Sequence, residues 1–297
     1  MKGGDGGRRA RDAWAGWFLV AFFTLPFLLF NLAPLLFGIV LAFTEWGIIG
    51  DPVWVGTANF ERALADPWVA NAFLNTFWYA AIIVPGVVVL GLLTALLVDR
   101  RWPLAGLART FFFTPNVVPA TVIGLVWVWL LDTRFGLVNQ YLGLFGIAPV
   151  PWLTSGDWSL IGVALASIWW DLGLAFILFL AALQDVPEEL HEAAAIDGAG
   201  PLRRFWHVTL PHLRPTLSMV VTLQVIASMR IFSQVYVMTN GAPHGSSQSV
   251  IHYIYQTAIV QFRLGYASAV SVLLFLAILA ITILHRLLLA ERARGAG

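Results

Sequence analysis

The sequence contains no cysteine, a single lysine and few charged residues. The absence of cysteine excludes disulfides, iron–sulfur clusters and thiolate zinc sites. Because the only lysine is Lys2, in the N-terminal tail, the chain cannot form a phosphate-binding loop of the G-x-x-x-x-G-K-[ST] type. If ATP drives this protein, another chain must bind the nucleotide.

Charged residues make up 11% of the 297 residues and hydrophobic residues make up 59%, whereas an ordinary soluble domain carries about 25% charged residues. A soluble fold of this size cannot bury so much apolar surface, so the bilayer is the expected solvent. The formal net charge of +1 indicates neither a nucleic-acid surface nor an acidic partner.

Six stretches are long and apolar enough to cross a bilayer, which takes about 20 residues per helix. They cover residues 14–43, 73–98, 104–131, 159–183, 216–238 and 267–289. We therefore predict an all-α membrane protein with a transmembrane domain over 14–289 and short tails over 1–13 and 290–297. The first stretch is about twice the length of a signal-peptide core and has no small-residue cleavage site, so we expect it to be retained.

Prolines inside these stretches predict irregular helices. Pro26 or Pro34 predicts a kink in the first span. Pro85, Pro115 and Pro119 lie inside or at the ends of other spans. Breaks at such prolines are tolerated only where protein or a water-filled cavity satisfies the freed backbone groups.

The distribution of basic residues predicts the orientation in the membrane. One face carries Lys2, Arg8, Arg9, Arg11, Arg100, Arg101, Arg109, Arg203, Arg204, Arg214, Arg286, Arg292 and Arg294. The opposite face carries only Arg62, Arg134 and Arg263, and Arg230 lies within a span. This asymmetry predicts a multi-pass protein of the cytoplasmic membrane, with both termini and the loop over 184–215 in the cytoplasm.

The loop over residues 184–215 reads as two short helices. Asp185 is the expected N-cap of the first helix, with Pro187 in its opening turn. Leu190, Ala193 and Ala194 fall on one face, and Gly198 follows where a left-handed C-terminal cap is expected. Pro201 fits the start of the second helix, and Pro211 is expected to end it. A short helix with an alanine face barely forms alone, so the loop is expected to dock into another protein.

This loop resembles the signature of permeases in binding-protein-dependent ABC importers. The resemblance rests on Glu192-Ala193-Ala194, Gly198, Val208 and Leu210-Pro211. The carbohydrate branch of that family is matched further by Ile196-Asp197-Gly198-Ala199, Phe205, Pro215, Phe113, Pro115, Trp127, Trp129 and the segments 238–243 and 264–269. Val208 stands where isoleucine is commoner in the family.

The resemblance implies the type I ABC importer permease fold, with the 184–215 loop forming a cytoplasmic coupling helix. In this interpretation the ATPase-coupling residues are Glu192, Ala193, Ala194, Asp197, Gly198, Leu210 and Pro211. The implied partners are a second related permease subunit, two ATPase subunits and an extracytoplasmic substrate-binding protein. ATP and Mg²⁺ would bind the ATPase subunits, and this chain would hold no cofactor and no metal.

Ionisable residues inside spans are costly and mark functional sites by default. Asp171, next to Trp170 in the fourth span, suits sugar hydroxyls beside an aromatic ring. The predicted substrate path is Asn116, Trp170, Asp171, Gln224, Ser228, Arg230 and Gln234. The alternative is that Asp171 and Arg230 stabilise helix packing, by pairing with each other or with a partner subunit. Most of the 14 tryptophans are expected to form an interfacial belt.

The predicted function is therefore a non-enzymatic permease subunit that imports a di- or oligosaccharide by alternating access. A glycerol-phosphate or other polyol is the alternative cargo, because Arg230 suits a phosphate. A more remote alternative is an intramembrane enzyme or channel, although the sequence shows no catalytic cluster or filter loop. His191, His207 and His212 have no metal-ligand spacing and are expected at the surface.

Overall fold

The computed structural model of the chain describes residues 17, 20–47, 50–98 and 105–294. The predicted tail over 1–13 and the first residues of the first and third predicted spans lie outside this part of the chain. Contacts divide the protein into two compact units, Met1–Leu64 with Gln256–Val272, and Ala65–Tyr255 with Leu273–Gly297.

The described residues are almost entirely helical. The helices are α1 Val20–Leu41, α2 Ala58–Ala65, α3 Pro67–Val98, α4 Ala105–Val117, α5 Ala120–Leu130, α6 Leu137–Leu144, α7 Ser159–Gln184, α8 Glu188–Ile196, α9 Pro201–Arg204, α10 Leu210–Met229, α11 Ser233–Met238, α12 Val250–Tyr255 and α13 Leu264–Arg294. Wider π-helical turns occur at Leu28–Leu32, Phe205–Thr209 and Gln256–Val260. Because α13 runs to Arg294, most of the predicted C-terminal tail is helical, and residues 295–297 lie outside the described part.

The smaller unit contains the one departure from all-α structure among the described residues. Strands β1 Thr44–Glu45 and β2 Val53–Trp54 pair antiparallel directly after α1. The buried Asn59 side chain donates to the carbonyl oxygens of Ala42 and Thr44, at 3.1 and 2.8 Å. These bonds tie α2 to the backbone that joins α1 to β1.

Two of the π-helical turns have the same relation to a proline. Leu28–Leu32 is followed by Pro34, and Phe205–Thr209 is followed by Pro211. A proline ring clashes with the carbonyl four residues earlier and has no N–H to donate to it. An extra residue in the preceding turn relieves that clash, so the helix continues past the proline. The predicted kink at Pro26 or Pro34 stays a prediction, whereas the prediction that Pro211 ends a helix is wrong.

The larger unit has its core between α3 and α7. Tyr79, Ile83 and Val87 recur every fourth residue on α3 and pack in one buried cluster with Phe176 and Phe179 of α7. Small residues let the two helices approach closely: a Cβ added at Gly91 would lie 2.9 Å from the Cβ of Ala175. Helix α7 is the most enclosed of the candidate spans, with 56% of its apolar window buried, against 0% for α1.

The stretch predicted as one span over 104–131 is two helices, α4 and α5, that meet at an angle of 101°. The break lies at Val118 and Pro119, where two side-chain hydrogen bonds hold the exposed backbone. The indole Nε1 of Trp170 donates to Val118 O at 3.0 Å, and Asn116 Nδ2 donates to Trp170 O at 3.2 Å. A side chain of the protein thus provides a hydrogen bond to the backbone at the break, as expected for a helix that is broken within a membrane.

The stretch predicted as one span over 216–238 is also interrupted. Helix α10 ends at Met229, and α11 begins at Ser233. By length and apolarity, the described residues contain four helices able to cross a membrane, or five if α4 and α5 form one span. The number six is therefore not reached on these criteria and stays a prediction.

Candidate functional site

Helix α8, in the larger unit, contains no buried residue. It carries three of the seven predicted coupling residues, Glu192, Ala193 and Ala194. A fourth, Asp197, lies just past its end. Its apolar side chains are uncovered as well: Ile196 is 87% exposed and Leu190 is 48% exposed. A short exposed helix gains little stabilisation from packing against its own chain, so this surface is suited to binding in a groove of a partner protein.

The C-terminal end of α8 forms a complete Schellman motif. Gly198 adopts φ +76°, its N–H donates to Ala195 O at 3.0 Å, and Ala199 N donates to Ala194 O at 2.9 Å. These are the two bonds that define the motif, and glycine takes the left-handed position without steric cost. The predicted left-handed cap at Gly198 is confirmed.

The N-terminal end of α8 differs from the prediction. Pro187 occupies the N-cap position and no side chain caps the helix, while Asp185 is the C-cap residue of α7. The linker between α7 and α8 is so short that Asp185 belongs to the preceding helix. Glu188 and Glu189 lie in the first turn, where the helix dipole favours negative charge.

The other two predicted coupling residues, Leu210 and Pro211, lie at the start of α10. They belong to one continuous helical run that begins at Pro201. The helical run therefore joins the loop directly to a helix of the larger unit. A displacement of the loop can pass into α10 without crossing a flexible linker.

A cavity of about 190 Å³ lies in the larger unit, beside the break between α10 and α11. Its lining residues are Ile83, Ala120, Ser167, Trp170, Asp171, Ala227, Arg230, Ile231, Phe232, Ser233 and Gln234. Four of the seven predicted path residues are therefore brought together: Trp170, Asp171, Arg230 and Gln234. Sequence reasoning missed Ser167 and Phe232, which α7 and the helix break place beside them.

Asp171 and Arg230 line this cavity without pairing with each other. No ion pair within 4.0 Å and no side-chain hydrogen bond is found for either residue among the described residues. Arg230 is the residue after the last turn of α10, and its side chain is exposed. The structure thus gives no support for mutual pairing, and both charges are free to meet a polar ligand.

The remaining three predicted path residues lie outside the cavity lining. Asn116 supports the break between α4 and α5 by donating to Trp170 O. Ser228 donates to Gln224 O at 2.7 Å within α10, and both residues are buried. Gln224 Oε1 is buried without a hydrogen-bond partner in the described part of the chain. These residues pack the helices around the cavity and do not line it.

A set of polar residues on α3 fixes the segment between α11 and α12. Asn71 and Asn75 both donate to Gly245 O, at 2.9 and 2.8 Å, and the hydroxyl of Tyr79 donates to Ser247 O at 2.9 Å. This network could not be predicted from the sequence, because its partners are backbone carbonyls about 170 residues away. The segment is held as a rigid surface on the predicted outer side.

His252, in the same predicted outer loop, is buried. Its Nε2 lies 3.0 Å from Asn240 Oδ1, and its Nδ1 lies 3.4 Å from the Gln248 amide nitrogen. Nε2 therefore donates and Nδ1 accepts, which leaves no acceptor for a second proton. Burial lowers the pKa of His252 below its ordinary value of 6.5.

This environment predicts a pH-dependent stability. As pH falls below about 6.5, His252 takes up a proton in the unfolded chain before it does so in the folded protein. The free energy of unfolding therefore decreases as the pH falls below that value. We expect the melting temperature of the purified protein to fall between pH 7.5 and pH 5.5, and to fall less in His252→Asn. His244→Asn is the matched control, because His244 is exposed. An equal loss in wild type and His252→Asn would contradict the assignment.

Within the described residues, no group of three or more His, Asp or Glu side chains is placed to hold a metal ion. His207 lies on the surface, with Nδ1 2.9 Å from Arg203 O. His191 departs from the prediction, because it is half-buried and lines a second cavity.

Residues 87–294 match the protein family described as the binding-protein-dependent transport system inner membrane component. The chain belongs to this family. It is therefore an inner-membrane permease subunit of an ABC transporter and not an enzyme, as the exposed loop and its signature predicted. The alternative of an intramembrane enzyme or channel is set aside.

Two curated relatives place this permease among ABC transporter subunits. The inner membrane ABC transporter permease protein YcjO of Escherichia coli (strain K12) is 36% identical over 241 residues, covering 80% of each chain. The trehalose/maltose transport system permease protein MalF of Thermococcus litoralis is 31% identical over 242 residues, again covering 80% of each chain.

A solved structure agrees with the permease fold. A chain of a bacterial alginate ABC transporter, in complex with an alginate pentasaccharide-bound periplasmic protein, superposes with a TM-score of 0.82. It is 20% identical, and the match covers 94% of each chain. At this identity the likeness shows the fold alone.

Proposed function

We propose that this permease imports a di- or oligosaccharide across the cytoplasmic membrane by alternating access. A permease about one-third identical to it is named for trehalose and maltose transport. In the proposed cycle, the spans alternate between inward-open and outward-open states around a central site.

The observation that carries the proposal is the cavity beside Asp171. Its polar groups include one carboxylate, one guanidinium, the Gln234 amide and the hydroxyls of Ser167 and Ser233, next to the Trp170 ring. Hydroxyl-rich ligands need several hydrogen-bonding groups, and an aromatic face packs on the apolar side of a sugar ring. Because Asp171 and Arg230 are unpaired within the described chain, a ligand can bind without breaking an ion pair.

The proposed topology has six spans with both termini and the loop over 184–215 in the cytoplasm. Taking α4 with α5 as one broken span, and α10 with α11 as another, gives the six spans predicted from the sequence. Both breaks lie next to the proposed path. Ala120, beside the break between α4 and α5, lines the cavity, and so does Arg230, at the break between α10 and α11. Broken helices at membrane depth are expected where they line a cavity.

The proposed partners follow from the two exposed surfaces. Helix α8 docks into an ATPase subunit, which holds ATP and Mg²⁺. A second permease subunit completes the pathway, since α1 leaves its apolar face uncovered. A binding protein is expected to deliver cargo from the outer side, where the Asn71–Asn75 network holds the segment before α12 rigid. Closure of the ATPase pair drives the cycle only if α8 binds differently in the open and closed states.

A glycerol-phosphate or other polyol phosphate is the second candidate cargo. Arg230 favours it, because a guanidinium binds phosphate through paired hydrogen bonds. The adjacent Asp171 would repel the same phosphate, so a neutral sugar fits the cavity better.

Reconstituted transport tests the proposal. Proteoliposomes should contain this permease, its second subunit, the ATPase pair and the binding protein, and uptake of maltose, trehalose and glycerol 3-phosphate should be compared. We expect accumulation of a sugar that requires ATP and the binding protein. Accumulation of glycerol 3-phosphate alone would favour the second cargo. Uptake independent of ATP would contradict the mechanism.

A further inference from the structure

A second cavity, of about 260 Å³, lies behind α8 in the larger unit. It lies near the ends of α3 and α7, where the helical run from Pro201 begins. Its lining residues are Leu96, Leu183, Val186, His191, Pro201, Arg204, Phe205 and Thr209. None of them lines the cavity beside Asp171, and none is among the predicted coupling residues, so this is a separate site.

Arg204 is the charged group of this cavity. Its Nε atom is buried and has no hydrogen-bond partner, and no ion pair to its guanidinium is found in the described part of the chain. Leaving a buried cationic donor unpaired is costly. Among the described residues that line the cavity, none is acidic, so none of them compensates the charge of Arg204.

The lining fits a ligand with one anionic and one apolar part. The guanidinium offers planar, paired donors that match phosphate oxygens, and Thr209 and His191 add polar atoms nearby. The lining also includes the apolar side chains of Leu96, Leu183 and Val186.

The position of the cavity also favours a membrane-derived ligand. Helices α3 and α7, two of the candidate spans, end at Val98 and Gln184, within two residues of the lining residues Leu96 and Leu183. In the proposed orientation these ends lie in the cytoplasmic leaflet, where anionic lipid headgroups are concentrated and bind basic pockets between helices.

We propose that this cavity binds a phosphate-bearing anion, through Arg204, behind the coupling helix. The ligand is either an anionic phospholipid headgroup or free phosphate, since the two share the same chemistry. Because Val186 and His191 flank the start of α8, an occupied cavity ties the coupling helix to the ends of α3 and α7. The inference rests on the proposed function for its location and its connection to coupling, although the binding site itself does not depend on the cargo.

The lipid source is tested on the complete complex in nanodiscs of phosphatidylglycerol and phosphatidylcholine, by counting retained phosphatidylglycerol with native mass spectrometry. Arg204→Gln should lower retention at least about tenfold, the ratio expected for a lost charge-assisted hydrogen bond. Arg203→Gln removes the same charge from the neighbouring exposed residue and should retain the lipid. Val186→Phe keeps the charge but fills the cavity, and should also lower retention, which separates a site from a general charge effect.

Binding of free phosphate is tested on the delipidated complex in detergent. The melting temperature is compared in inorganic phosphate and in chloride at equal ionic strength. A phosphate-specific stabilisation that is lost in Arg204→Gln supports a soluble anion, and Arg204-dependent lipid retention supports a headgroup. Equal retention in all variants together with no phosphate-specific shift would overturn the site. Lipid retention is measured without transport, and it does not depend on the orientation of the complex because both nanodisc leaflets carry the same lipid. Failure of the anion site is therefore distinct from failure of sugar uptake, which tests the transport proposal.

Discussion

Replacing Gly198 with valine is expected to lower sugar uptake about 5–30-fold. A left-handed conformation costs a side-chain-bearing residue about 1–2 kcal/mol, which is a factor of about 5–30 in a local equilibrium. A Cβ at Gly198 would meet no atom within 4 Å, so the penalty comes from the backbone at φ +76° and not from a clash. Helix α8 has no buried residue to compensate, so losing the Schellman bonds should unwind its last turn.

Gly198→Asn is the matched control, because asparagine tolerates left-handed geometry better than other residues with side chains. Uptake in proteoliposomes and co-purification of the ATPase should be measured for both variants. We expect valine to weaken both, with asparagine close to the wild type. Uptake at the wild-type level in the valine variant would show that this helix end need not be ordered for docking.

Asp171→Asn and Arg230→Gln are each expected to lower sugar uptake by about 10–100-fold, with normal assembly. The magnitude follows from the loss of about 1.5–3 kcal/mol for a hydrogen bond to a charged group. Assembly should survive because neither residue is paired within the described chain, so neither change strands an opposite charge. Asp157→Asn is the control, because Asp157 is an exposed carboxylate in the predicted outer loop.

The two cavity variants also distinguish the cargo. If Arg230→Gln abolished glycerol 3-phosphate uptake and left sugar uptake intact, Arg230 would serve a phosphate ligand. If both variants transported sugar at the wild-type rate, the cavity would not be the translocation site.

Local features of the coupling loop were predictable because their cause lies within a few residues. Gly198 could be placed in a left-handed cap from its position after an alanine-rich turn, and the structure confirms it. Pro211 was misjudged because the rule that proline ends a helix takes no account of a π-helical turn that widens the helix before it. Asp185 was misjudged because the α7 boundary, and not residue type, decides which helix it belongs to.

The cavity was predictable only in part. Trp170, Asp171 and Arg230 stood out because charged and aromatic groups are conspicuous in apolar stretches. Ser167 did not, because its place in the lining depends on how α7 packs beside the helix break after Met229. The 101° bend between α4 and α5 is equally invisible to hydropathy, since both halves are apolar and only the Trp170 and Asn116 hydrogen bonds show how the break is held.

The proposed contact between α8 and an ATPase on the cytoplasmic side can be tested by site-specific cross-linking. The absence of cysteine provides a clean background for single-cysteine variants. Ala193→Cys, on exposed α8, should cross-link to the ATPase subunit in assembled membranes, and His244→Cys, on the predicted outer side, should not. No ATPase adduct at position 193, or an adduct at position 244, would contradict the account.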